Sequence, residues 1–136
     1  MIAADTSVVV AAFASWHEGH AVARRTLQER SVRLPGHVLI ETYSVLTRMP
    51  PPFRAAAPVV AEFLQRRFPD PPLVLPPVAH RSLAQRLAER GVTGGAAYDA
   101  LVAATTAEAG ALLLSRDRRA VATYEALGAP YDLIAP

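Results

Sequence analysis

The chain has 136 residues, a length that suits one domain, and 51% hydrophobic content with a net charge of +2 is enough to bury a core. It holds no cysteine, and all 14 basic residues are arginine. Disulfides, thiolate metal sites and thiol nucleophiles are thereby excluded, as are lysine Schiff bases and the phosphate-binding lysine of a Walker motif. Abundant alanine and proline accompany the arginines, a pattern that follows GC-rich coding. Arginine content alone is therefore weak support for nucleic-acid binding. No apolar stretch reaches membrane-spanning length. Asp5 interrupts the apolar run Met1–Ala14, and the first arginine, Arg24, comes after that run, the reverse of a secretory signal. The expectation is a soluble, cytoplasmic protein with a single domain over residues 1–136.

In chain order, Ile2–Ala4 reads as a short strand closed by Asp5, and Val8–Phe13 as a short helix. Trp16–Arg30 has helical spacing, with Ala21, Val22 and Leu27 apolar. Val32 and Leu34, before Pro35-Gly36, suggest a strand and a turn. His37–Arg48 predicts a helix stopped by Pro50-Pro51-Pro52. Ala55–Phe68 predicts another, with Pro58 tolerable in its first turn. Leu73–Leu75 lies between proline pairs and reads as a strand. His80–Arg90 predicts a helix ending at Gly91. Ala96–Ala109 is a helix ended by Gly110, Ala111–Leu114 a buried strand, Arg119–Leu127 a helix and Tyr131–Ile134 a last strand. Short apolar strands between helices indicate an α/β fold with a mostly parallel sheet. The proline clusters read as rigid loops.

Open α/β sheets bind ligands beyond the carboxyl ends of their strands. Asp5 ends the first strand, and Asp117 follows the strand Ala111–Leu114. Glu41 shares a helix face with Val38 and Val45, and Asp99 a stripe with Val102 and Ala103. A carboxylate on an inward face is costly unless it is paired or bound to a cation. The plainer reading is also open: Asp5 and Asp117 suit helix caps, and Asp99 suits a first helical turn. Glu41, inside its helix, has no such role. With no cysteine and no matched histidines, an all-oxygen site suits Mg²⁺ or Mn²⁺. His17 and His20 do not form the HExxH zinc pattern and lack an obvious third ligand, and His37 and His80 read as ordinary helix-start residues.

The segments Ile2-Ala3-Ala4-Asp5-Thr6-Ser7, Glu41 on its helix, Tyr98–Ala104 and Leu113–Arg119 together resemble the PIN domain. In size and compact form the chain resembles the VapC-type toxins of bacterial toxin–antitoxin systems. The resemblance covers essentially the whole chain. It implies a three-layer α/β/α fold with a mostly parallel five-stranded sheet ordered 3-2-1-4-5, which sets the strand ending at Asp5 beside the one before Asp117. It implies a metal-dependent ribonuclease that uses Mg²⁺, or alternatively Mn²⁺. Asp5, Glu41, Asp99 and Asp117 match the family's acidic quartet. Asp5, Asp99 and Asp117 are the implied ligands of the main ion, with Glu41 on a second ion or orienting the attacking water. Thr6 matches the hydroxyl after the first Asp, and Ser115 stands where many members have Thr. Arg118, Arg119 and Ala120 occupy positions where some members add another acid. Implied partners are an RNA substrate, a VapB-type antitoxin and a second copy in a homodimer.

Arg116, Arg118 and Arg119 flank Asp117. Arg116 is the candidate for an RNA phosphate contact, while Arg119 suits a solvated helix face. Two other classes stand beside the nuclease. A phosphomonoesterase using Asp5 as nucleophile wants a second Asp where Ser7 stands, and commonly a Lys. A catalytically silent binding module with this fold sits poorly with four intact acids.

Overall fold

The first strand, β1 (Ile2–Ala4), leads through Asp5 directly into helix α1 (Thr6–Phe13). Asp5 is extended (φ −88°, ψ 176°), and its side chain accepts a hydrogen bond from the Val8 N–H, so the residue that ends the strand also caps the helix. The computed structural model describes residues 1–134, so the last two positions of the expected domain lie outside the described residues. After α1 come α2 (His20–Glu29), β2 (Val32–Arg33), α3 (Gly36–Thr47), α4 (Ala57–Arg67), α5 (Pro77–Glu89) and α6 (Ala96–Glu108). The chain closes with β3 (Leu112–Ser115), a 3₁₀ turn at Arg118–Ala120, α7 (Val121–Ala126) and β4 (Tyr131–Leu133).

The strands pair in parallel in the order β2-β1-β3-β4. Chain direction across the sheet therefore reverses between β1 and β3, the place where an open α/β sheet forms its crevice. Ala3 and Ala4 on β1 are fully buried, as are Leu113 and Leu114 on β3. Successive strand side chains point to opposite faces, so both faces of the sheet are covered and the architecture is three-layered. Among the described residues, no helix is long and apolar enough to cross a membrane.

The sheet has four strands rather than the five expected. Leu73–Leu75 contributes one parallel bridge, between Pro35 and Leu73. Its two hydrogen bonds run from Gly36 N to Leu73 O (2.8 Å) and from Leu73 N to Leu34 O (2.9 Å). Pro72 before Leu73 and its bridge partner Pro35 carry no N–H, which removes two donors beside the bridge, and Val74 and Leu75 add no further pairing. Counting this bridge as the outermost element recovers the order 3-2-1-4-5.

Helix α2 begins at His20 rather than Trp16. The Gly19 N–H donates to His17 Nδ1 (3.0 Å) and the His17 N–H to Ala14 O (3.0 Å), holding Trp16–Gly19 as a turn. Helix α5 begins earlier than expected, at Pro77, because proline fits a first helical turn. The expected helix Arg119–Leu127 is divided between the 3₁₀ turn and α7.

Candidate active site

Asp5, Glu41, Asp99 and Asp117 all line one small cavity at the switch point, together with Thr6, Ser7, Val102 and Tyr124. The cavity holds about 40 Å³, room for roughly three waters or for an ion with fewer. Each acid reaches it from a different element. Asp5 comes from the β1–α1 junction, Glu41 from within α3, Asp99 from the first turn of α6, and Asp117 from the end of β3.

Capping and membership of this cavity coincide. The Arg119 N–H donates to Asp117 Oδ1 (3.0 Å), so Asp117 caps the 3₁₀ turn just as Asp5 caps α1. Neither cap removes its carboxylate from the cavity.

Asp5 is the most deeply set of the four and carries the densest polar network. The Ser7 hydroxyl donates to Oδ1 (2.5 Å) and the Val8 N–H also reaches Oδ1 (3.3 Å), while the Tyr124 hydroxyl donates to Oδ2 (2.7 Å). Burial pushes the Asp5 carboxyl above the ordinary range, and bonds from Ser115, Ser7, Tyr124 and Val8 oppose that rise. Asp99 is raised from 3.8 to about 6, by burial first and then by the charges of Asp117, Glu41 and Asp5. The Tyr124 hydroxyl is raised in turn, by burial and then by Asp5, and stays protonated as a donor.

Thr6 lines the cavity with a buried Oγ1 that has no hydrogen-bond partner. Ser115 is fully buried beneath it, its Oγ accepting from the Asp117 N–H (3.0 Å). Arg116 is not part of the acidic cavity. It lines two adjoining clefts, of about 300 and about 430 Å³, that share Asp117 with it. The Arg119 side chain is 95% exposed and reaches back to Asp117 at 3.6 Å.

Three neighbours of the acids were not visible as such in the sequence. His37, read there as an ordinary helix-start residue, donates from Nε2 to Glu41 Oε2 (2.9 Å) and stacks on Tyr98 at a ring separation of 5.3 Å. The i,i+4 spacing of His37 and Glu41 was the available signal. Ser7 joins two parts of the site, because its hydroxyl also accepts from the Arg116 N–H (2.8 Å). Tyr124 meets Asp5 from the far end of the chain, and no local pattern announces it.

The donor set is all oxygen, carries concentrated negative charge and includes one unpartnered hydroxyl, which suits a hard divalent cation. Among the described residues, no three acidic or histidine side chains already converge as a ready-made metal site. Asp5 is tied into its own hydrogen bonds, so a cation here would share oxygens already in use and would keep waters of its own.

The model of the PIN domain family matches residues 2–126. The chain belongs to the PIN domain family. Ribonuclease VapC40 of Mycobacterium tuberculosis is 53% identical over 134 residues, covering 98% of this chain and 99% of the relative. Ribonuclease VapC27 of the same species is 44% identical over 127 residues, covering 93% and 92%. All four acids, Thr6 and Ser115 lie within the segment matched to the PIN domain.

Proposed function

We propose that this PIN-domain chain is a metal-dependent endoribonuclease that hydrolyses RNA phosphodiester bonds, as the toxin of a type II toxin–antitoxin pair. The observation that carries the reading is the shared cavity of Asp5, Glu41, Asp99 and Asp117, where burial and then the neighbouring carboxylates raise Asp99 to about 6. Such a cluster is strained until a cation neutralises it. The reaction class draws on the relatives, which are named ribonucleases over nearly their whole length.

Asp5, Asp99 and Asp117 are the residues that would hold Mg²⁺ or Mn²⁺. When bound, such an ion supplies positive charge against the phosphate and makes water acidic enough to serve as a nucleophile near neutral pH. Glu41 Oε2 is engaged by His37, which leaves Oε1 as the atom that would take a proton from an attacking water. Tyr124 and Ser7 fix the Asp5 carboxylate, so its orientation does not relax as charge develops. Arg116 stands ready for a phosphate on the Asp117 side. A VapB-type antitoxin, a homodimeric state and a cytoplasmic location complete the proposal.

The test is incubation of the purified protein with RNA in Mg²⁺, in Mn²⁺ and in EDTA, with sequencing of the cut ends. Cleavage is expected only with metal, and Asp99→Asn and Asp117→Asn should abolish it. Undiminished cleavage in EDTA, or by both variants, refutes the assignment. Hydrolysis of p-nitrophenyl phosphate with intact RNA would favour a phosphomonoesterase instead.

A further inference from the structure

Trp16 and Phe53 are 46% and 43% exposed although they pack on each other, their ring centroids 4.6 Å apart. An exposed aromatic pair offers flat apolar faces on which a ligand ring can stack. Both belong to anchored turns. Trp16 opens the turn held by the bonds between Ala14, His17 and Gly19, and the Phe53 N–H donates to Pro50 O at 2.9 Å. The His17 ring lies 5.8 Å from Trp16 and continues the aromatic surface inward. Burial and the nearby Arg116 charge keep that imidazole below the ordinary histidine range.

His17 also lines both clefts that border the acidic cavity, and each contains Arg116, Asp117 and Arg119. The cleft of about 300 Å³ shares Thr6, Ser7 and Asp117 with the acids, and its size is within the range of small-ligand sites. His17 thus links the clefts beside the carboxylates, through its contact with Trp16, to the exposed aromatic pair. Glu18 and Asp117 are the acids on the outer cleft, against Arg116, Arg118 and Arg119.

Arg116 is held for use on this surface. Its Nε is buried without a hydrogen-bond partner, and among the described residues no carboxylate forms a salt bridge with it. Its guanidinium lies against Gly19, where a Cβ would come within 2.7 Å of Nε and still closer to Cζ. Gly19 has an ordinary φ of −87°, so the backbone does not require glycine there. A Cβ there would instead push aside the guanidinium, the mobile end of the Arg116 side chain.

We propose that Trp16, Phe53 and Arg116 form a nucleotide subsite beside the acidic cavity, in which an unpaired base of single-stranded RNA stacks on the aromatic pair while Arg116 holds an adjoining phosphate. The proposal rests on the ribonuclease reading and adds where the substrate lies. Stacking tolerates any base, because each has a π face, and Arg116 supplies the sequence-independent charge. The protein then selects unpaired RNA, since a base within a duplex cannot reach the aromatic pair.

Trp16 is the sole tryptophan, so its fluorescence reports on this subsite alone. The protein, in EDTA to keep RNA intact, is titrated with a 12-nucleotide oligoadenylate and with an abasic strand carrying the same phosphates. Oligoadenylate should quench the fluorescence and the abasic strand should not. By anisotropy of labelled oligoadenylate, Trp16→Ala should bind about tenfold more weakly, the scale of one lost stacked base. Trp16→Phe, which keeps a stacking ring, should recover most of that loss. Arg116→Ala should reduce the salt slope of binding by about 0.7, the contribution of one single-strand phosphate contact. Gly19→Ala, which keeps every charge but displaces the guanidinium, should reproduce that change. Equal quenching by both strands, or unchanged affinity in Trp16→Ala, overturns the subsite. So does a Trp16 that no oligonucleotide quenches but a co-purified protein partner does. RNA cleavage without quenching removes the subsite and leaves the nuclease standing. Quenching by bases without any cleavage removes the nuclease and leaves the stacking platform.

Discussion

Asp99→Asn should stabilise the metal-free protein at neutral pH and have almost no effect on its stability near pH 4. The folded carboxyl titrates at about 6 against an ordinary 3.8, raised by burial and by three neighbouring carboxylates. A shift of about 2 units corresponds to roughly 3 kcal/mol at 1.36 kcal/mol per unit. Asp99 is only half-buried, and solvent screening cuts that to about 1.5 kcal/mol. The opposing loss of a first-turn negative charge costs a few tenths of a kcal/mol, so the cluster strain wins by about 1 kcal/mol. The sign follows from proton linkage. A carboxyl with a raised folded pKa binds its proton more tightly in the native state. Its penalty is absent below 3.8, grows as pH rises, and is complete above about 6. Melting in EDTA at pH 7.5 should therefore find the variant about 4 °C above the wild type, and the gap should close on acidification. Added Mg²⁺ or Mn²⁺ should raise the wild-type midpoint more than the variant's, because a ligand stabilises only the state that binds it. A variant that melts below the wild type in EDTA at every pH, with neither protein responding to metal, would refute the reasoning and leave Asp99 as a helix-turn acid alone.

Two further changes probe the surroundings of the acids. Tyr124→Phe removes the donor 2.7 Å from Asp5 Oδ2 while keeping the burial. Stability should fall by about 1–3 kcal/mol, and the acid limb of the cleavage profile should move to higher pH as Asp5 holds its proton longer; a pH–rate series with parallel melts checks both. His37→Ala frees Glu41, so kcat should fall more than KM changes, with partial recovery in His37→Gln, and Glu41→Gln should cost about 10²–10⁴-fold in kcat if Glu41 takes the proton. Equal kinetics for His37→Ala and the wild type would reduce the His37–Glu41 contact to a structural pair.

The helices and the buried strands were legible because each is written locally. Ala111–Leu114 is a short apolar run between a glycine-ended helix and a polar turn, and the structure forms its strand one residue on, over Leu112–Ser115, with Leu113–Ser115 buried. Two of the departures are instructive. Leu73–Leu75 has the hydrophobicity of a strand, but hydrophobicity does not reveal how few N–H groups a proline-flanked segment can offer. Trp16–Gly19 has the spacing of a helix, but a local bond from Gly19 N–H to the His17 ring competes with helix formation. In both places backbone hydrogen-bond supply overrode side-chain periodicity.

At the site, the acids were conspicuous for a thermodynamic reason. An ionised carboxylate within an apolar run must be offset by something, and Glu41 within its helix offered no capping role to account for it. For Asp5 and Asp117 the choice between cap and site turned out to be no choice, because the chain leaves each strand into a helix or 3₁₀ turn whose first N–H groups the same carboxylate satisfies. The cap therefore serves the cavity: it fixes the carboxylate at the end of its strand, where the sheet reverses. What the sequence could not disclose is the partner that each acid acquires from elsewhere. Tyr124 bonds to Asp5 from α7, and Ser7 links that carboxylate to the backbone of Arg116 across the β1–β3 junction. Such contacts depend on β1 and β3 lying side by side, and nothing in either segment alone encodes that pairing. They also bear on the chemistry. Asp5 is restrained at both oxygens, whereas Asp99 is raised by burial and then by the charges of Asp117, Glu41 and Asp5, a repulsion that a cation or a proton in the cavity can relieve.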